Sequence, residues 1–394
     1  MISAEKKLLY FIEKHIHLLF AGAVLLIGCC MRIAGFHFLS HDAKCYLLKW
    51  YDQIAANGIS EQVGNYNIPY QLIIYLLTKL PLKPLHAYKV VSCAFDLAMA
   101  LLGGYIVWDM ADKNKERKGI LAFTFVFCSP IVLMNSSVWA QCDSMYAFFG
   151  IAALYFLFRE KFTFSFILLG LSFAFKLQAI FFLPFFLIYY VCRKKYSIFH
   201  FLIIPVMMAI ASLPGLIAGH SPKEILGIYI GQTNTFNRVY ANFPSVYALL
   251  TNAKGSGDYP MFRKMAILFM VLMLGIGLYF CIVKKVQLDS KKVFWGILIW
   301  SLYTCCLFLP NMHERYAYVL EVVAILYCFL TPAGIPFAIV VNLLSIFTYG
   351  KYLFGYRAIS LEVSALINLI AYVSFTYWLF SKVCHAPDHH SVHR

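Results

Sequence analysis

His313, Glu314 and Arg315 stand side by side in LPNMHERYAYV (309–319), where two apolar runs meet. A tight connection needs a turn and at most one charge. Arginine offers planar, bidentate recognition of a phosphate, histidine can donate to the same oxygens, and Glu314 can hold Arg315 in place. The plain alternative is a structural Glu–Arg pair beside a free histidine. Three other turns carry polar groups of complementary type: Asp42 in SHDAKCYLLKWYDQIAANG (40–58), Trp139, Gln141 and Asp143 in NSSVWAQCDSMY (135–146), and Lys176 and Gln178 in LSFAFKLQAIFFLPF (171–185). Each has a bland reading too. Asp42 and Asp143 suit helix N-termini, and Lys176 can snorkel to an interface. Together they suit a reaction in which a carboxylate deprotonates an acceptor hydroxyl while cations stabilise a departing phosphate.

What positions these groups is a membrane fold. The chain has 394 residues, is 62% hydrophobic and only 13% charged, where a soluble domain carries roughly 25% charged residues. Mean hydropathy is +0.74. Hydrocarbon satisfies no backbone donor or acceptor, and the apolar runs lack the period-two alternation of barrel strands. The expectation is an all-α polytopic transmembrane protein, 1–394 as a single integral domain of about 12 spans (11–13). They fall near 17–35, 86–108, 119–134, 144–158, 162–175, 178–192, 198–218, 264–283, 293–309, 317–331, 333–349 and 362–382.

The net charge of +15 is mostly topological. ADKNKERK (111–118), REK (159–161), RKK (193–195) and KKVQLDSKK (284–292) fall on alternate connections, as do the N-terminus with Lys6, Lys7 and Lys14 and the C-terminus with Lys382. The positive-inside rule puts these loops and both termini in the cytoplasm, and no nucleic-acid partner is implied. No A-x-A site follows MISAEKKLLYFIEKHIH, so the first helix is expected to be retained.

The other side carries 36–85, 219–263 and the turns 135–143, 176–178 and 310–315. Within 36–85, Ser40 suits an N-cap. Leu47, Trp50, Tyr51 and Ile54 form an apolar stripe, Gly58 closes the helix, and Asp52 faces solvent. YQLIIYLLTKLP (70–81) makes a second helix too short to span. Both are expected to be amphipathic and to lie at the outer interface. The tail 384–394, rich in histidine, reads as a disordered cytoplasmic tail. Twelve scattered cysteines give no zinc or disulfide framework, although Cys45 and Cys142 share a side and one bridge is conceivable. No metal cluster is visible; Asp42 and Asp143 would share a divalent ion (Mg or Mn) if they meet.

In SHDAKCYLLKWYDQI (40–54), NYNIPY (65–70), VWAQCDSMY (138–146), FKLQAIFFLP (175–184) and MHERY (312–316) the sequence resembles the GT-C superfamily of polytopic glycosyltransferases. It looks most like bacterial proteins similar to the second GPI mannosyltransferase, and more distantly like the dolichyl-phosphate-glucose-dependent transferases. The resemblance implies a catalytic carboxylate at Asp42, a second catalytic acid at Asp143 that positions the acceptor or shares the base role, and a lipid-phosphate site at Lys176, His313 and Arg315. Trp139, Gln141, Gln178 and Glu314 would support substrate. It also implies an outer-face enzyme of the bacterial cytoplasmic membrane. This enzyme moves a hexose (mannose or glucose) with inversion from a polyprenyl-phosphate-linked donor to a glycan or lipid-linked acceptor. The chain is short, with no soluble domain for a large acceptor. Its 219–263 loop would shape the acceptor cleft instead, with Arg238 either meeting an anion or solvated. A secondary transporter is the main rival, but Asp96 and Glu321 are the only acids deep within spans. A polysaccharide polymerase or ligase is the other rival.

Overall fold

A computed structural model of the chain describes residues 3–234, 238–250 and 258–384. Among them every regular element is a helix, and each of the twelve expected segments is helical. Seven helices are long and apolar enough to cross a membrane, from Ala4–Gly35 to Leu361–Val383. An eighth arises if Lys115–Phe127 and Pro130–Val138, bent by 43°, are one span. Asp143–Phe158, Phe162–Phe175 and Leu177–Arg193 are apolar but shorter. Burial explains why length is not needed there. Most of Asp143–Phe158 and of Tyr318–Leu330 is enclosed by other helices, so protein rather than lipid sets their environment. The expected tail beyond Cys384 lies outside the described residues.

Two polar ends organise the bundle. At one, ion pairs join the basic connections: Arg159 to Asp109, Lys291 to Asp112, Arg193 to Asp289 at 3.2 Å, and Lys195 to Glu160. The helices Pro84–Met110, Asp143–Phe158 and Lys291–Phe308 each run from that belt to the other end, where the four candidate turns gather. The loops grouped by charge in the sequence are therefore grouped in space.

The segment 36–85 folds over the second end. Lys89, fully buried, donates to the carbonyls of Gly35, Phe36 and Phe38 at 2.7–3.1 Å. Gly35 ends the first helix, whose last carbonyls lack intrahelical partners, and Phe36 and Phe38 follow it in the chain. Ser40 caps the next helix as expected, its Oγ accepting from the Ala43 N–H at 3.2 Å. Leu47, Tyr51 and Ile54 are buried against Tyr70, Ile74 and Tyr88, so this stripe covers the bundle's own end. Lys49, Asp52 and Gln53 are exposed on the opposite face. The conceivable bridge between Cys45 and Cys142 is absent: Cys142 is buried, Cys45 lies near His41, and both are free thiols.

Candidate active site

A cavity of about 940 Å³ opens at this end, and its lining includes Asp42, Trp139, Gln141, Lys176, Gln178, His313, Glu314 and Arg315. Asp143 lies immediately behind it. Sequence positions spread over nearly the whole chain thus converge on one space, of a size that holds small ligands.

Local backbone irregularities aim the side chains. The turn after Asp42, Ala43–Leu47, is π-helical, as is Met134–Val138 just before Trp139; such wide turns recur at functional sites. Ala140 (φ 65°) and Asn311 (φ 59°) adopt left-handed backbone. Asparagine tolerates that conformation, whereas buried Ala140 stores strain of order ~1 kcal/mol. The reversal at Ala140 lets the side chains on either side of it reach the same carboxylate. Ser40 fastens the two turns together by donating to the Trp139 carbonyl at 3.1 Å. Phe162–Phe175 ends where Lys176 turns extended (φ −157°, ψ 138°), which carries the lysine into the break between two helices.

Asp42 accepts three hydrogen bonds. Trp139 Nε1 donates to Oδ2 at 2.9 Å, Gln141 Nε2 to the same oxygen at 3.2 Å, and the Tyr352 hydroxyl to Oδ1 at 2.5 Å. A carboxylate has about four acceptor positions, so one on Oδ1 remains open. The Tyr352 ring stacks on Trp139 with centroids 4.3 Å apart. Gln141 then links the two halves of the site, its Oε1 accepting from Arg315 Nη1.

Asp143 is not the helix cap its position suggested. Cys142 occupies the cap, and Asp143 is the first helical residue, fully buried. Its Oδ1 accepts from Lys176 Nζ and its Oδ2 from Asn135 Nδ2 at 2.8 Å, with Arg315 Nη1 3.8 Å away. Lys176 does not snorkel; it is buried in this pair while still lining the cavity. With two cations against one carboxylate, the cluster keeps a net positive charge facing the cavity. Such a charge suits an anion. Asp143 is therefore already committed to cations rather than offering lone pairs to a metal. Among the described residues, no group of three His, Cys, Asp or Glu is placed to hold a metal ion.

The 313–315 turn departs from expectation in two ways. Glu314 forms no ion pair with Arg315 within 4.0 Å among the described residues; Gln141 and Asp143 hold the arginine instead. Burial raises the Glu314 carboxyl to about 7. Burial, followed by Arg315, pushes the neighbouring His313 down to about 4, so near neutral pH it brings a hydrogen-bonding ring and no charge. Gln178 also lines the wall, as does Arg238, which is exposed.

Sequence reasoning missed Tyr352, Tyr349 and Asn135. Ile335–Phe354 presents Ser345, Tyr349 and Tyr352 at i, i+4 and i+7. Ser345 donates to buried Glu321, Tyr349 accepts from Asn135 at 3.2 Å, and Tyr352 serves Asp42. That polar stripe in an otherwise apolar helix was the available signal.

This combination of stacked apolar helices with a carboxylate–cation cavity at one end describes a multi-pass membrane protein with a polar site. The family model of glycosyltransferase family 87 matches residues 65–310, and the chain belongs to that family. No curated protein gives a significant match. The matched stretch includes Trp139, Gln141, Asp143, Lys176 and Gln178, with Asp42 and the 313–315 turn lying on either side of it.

Proposed function

We propose that the chain is a GT-C-like inverting glycosyltransferase that moves a hexose, mannose or glucose, from a polyprenyl-phosphate-linked donor to a glycan or lipid-linked acceptor. One observation carries this reading: Asp42 and the cations Lys176 and Arg315 line a single cavity, coupled through Gln141. In the reaction, Asp42 takes the proton of the acceptor hydroxyl. The freed oxygen attacks the anomeric carbon, and the bond from that carbon to the phosphate oxygen breaks with its electron pair. Arg315 and Lys176 stabilise the negative charge that collects on the departing polyprenyl phosphate, and His313 donates a hydrogen bond to it. Trp139 and Gln178 shape the space around the sugar, and Asp143 positions both cations.

The reading extends to topology. All twelve helical segments cross the membrane, the inner ones enclosed by protein. The basic belt and both termini face the cytoplasm, and the cavity faces outward from a bacterial cytoplasmic membrane. The helices Leu48–Asn57 and Ile68–Leu77 lie at that outer interface.

The test is transfer of labelled hexose from short-chain polyprenyl-phosphate mannose and glucose to extracted cell lipids and polymer, with wild type and Asp42→Asn. Removal of a general base is expected to lower turnover by about 10²–10⁴-fold with folding and insertion unchanged. Near-normal turnover by Asp42→Asn would refute the role of Asp42, and no transfer from either donor would refute the class of donor.

A further inference from the structure

Tyr46 and Trp50 line the same cavity, and the mechanism above leaves them without a task. Asp42, Tyr46 and Trp50 follow at i, i+4 and i+8 along one helical segment, which puts them on one face in a row. With an α-helical rise of about 1.5 Å per residue as the upper limit, because Ala43–Leu47 is wider and shorter per residue, Trp50 lies up to roughly 12 Å along the axis from Asp42, with Tyr46 about midway. A pyranose ring within a glycan occupies about half that length. The row therefore spans about two sugar rings, starting at the carboxylate.

The aromatic end is built rather than incidental. Gly64 holds left-handed backbone (φ 63°), and a Cβ there would fall 2.4 Å from the Trp50 ring, so the loop backbone backs one side of the indole. Tyr66 meets Trp50 edge-on at 5.3 Å, and Tyr46 lies 5.7 Å from it. Amides stand beside the rings. Gln232 Nε2 donates to the Asn65 carbonyl at 2.7 Å, which ties the second outer segment to this loop, and both residues line the cavity. The lining cations Lys176, Arg238, Arg263 and Arg315 come from other segments.

We infer that the face carrying Tyr46 and Trp50 is the acceptor subsite, and that the acceptor is a neutral glycan of at least two pyranose rings stacked along it. Aromatic rings favour the apolar faces of sugars, and flanking amides satisfy the hydroxyls, whereas the cationic segments favour the donor phosphate. This inference rests on the proposed reaction for the direction of transfer, but the binding it asserts does not.

Two measurements test it. Tryptophan emission of the purified protein is titrated with mannotriose and maltotriose, and with mannose and glucose. A saturable change with a trisaccharide, at least tenfold weaker with the monosaccharides and absent in Trp50→Phe, is expected. No saccharide response, or quenching of Trp50 by brominated phospholipid instead, would overturn the inference and assign this face to lipid. In transfer assays with extracted cell-wall glycan, Trp50→Ala is expected to raise acceptor KM at least tenfold with donor KM unchanged, and Trp50→Phe to restore it. A rise in donor KM alone would overturn the subsite. If no polyprenyl-phosphate donor supports transfer, the proposed reaction fails while the saccharide titration still reads the subsite.

Discussion

Asp96 and Asp143 are both fully buried and both paired with a cation, yet they sit in opposite circumstances. Asp96 Oδ2 accepts from Arg32 at 2.9 and 3.1 Å and from the Ser136 hydroxyl at 2.5 Å. Arg32 gives two further N–H groups to the carbonyls of Gly28 and Phe127 and lies 3.9 Å from the Phe127 ring centroid. That pair is sealed and joins the first helix to its neighbours. Asp143 holds two cations that both line the cavity. The difference teaches that a buried ion pair points to a site when its cations also line an open cavity.

The comparison breaks hardest at Arg32. Arg32→Ala leaves Asp96 buried and unpaired, which costs about 3–5 kcal/mol. The expected result is a large fall in thermal midpoint and yield, with kcat per folded molecule little changed. Arg315→Ala should do the reverse. Asp143 keeps Lys176, so the midpoint moves little, while kcat/KM for the donor falls about 10²–10³-fold through lost phosphate stabilisation. Equal thermal losses in both variants would show that the two pairs are structural alike.

Next in size is the pH behaviour of the adjacent residues 313 and 314. Glu314 sits at about 7 in the fold against 4.5 as its ordinary value, so the folded state holds its proton more tightly. Stability then falls as pH rises from 4.5 to 7. His313 sits at about 4 against 6.5, so the unfolded chain binds the proton more tightly and stability rises from pH 4 to 6.5. Each effect is on the order of 3 kcal/mol when complete, and in the shared window they oppose each other. Wild type should therefore show a flat thermal midpoint near pH 5–6. Glu314→Gln should expose a rise with pH and His313→Asn a fall, both read by thermal unfolding in detergent. A flat profile in both variants would show that neither group is held as described.

The sequence announced the charged half of this site because charge is costly in an apolar chain. Lys176 and the 313–315 turn stood out against their surroundings, and alternating basic loops placed them on one side with Asp42 and Asp143. The helices were legible from apolar runs alone. Which of them cross as separate spans was less so, since a helix enclosed by protein, such as Tyr318–Leu330, can be short. The neutral half was only partly legible: Trp139, Gln141 and Gln178 stood beside charges, whereas Asn135, Tyr349 and Tyr352 did not. The fold shows that Asn135 and Tyr352 hold carboxylates, with Tyr349 accepting from Asn135. Partner choice was hidden too. Glu314 neighbours Arg315 in the chain, yet Gln141 and Asp143, far away in sequence, take the arginine.

The smallest expected effect makes the finest cut, because Tyr349 and Tyr352 on one helix serve different carboxylates. Tyr352→Phe removes a single donor from Asp42 and keeps the ring that stacks on Trp139. A hydrogen bond to a charged group is worth about 1.5–3 kcal/mol, part of which water entering the cavity would replace. The expected outcome is a roughly tenfold fall in kcat with donor KM unchanged. Tyr349→Phe acts one step behind Asp143, through Asn135, which still reaches that carboxylate. It should raise donor KM by a few fold and leave kcat near normal. A common effect of both variants on donor KM would place Asp42 with the phosphate rather than with the acceptor hydroxyl, and the division of labour between the two carboxylates would fall.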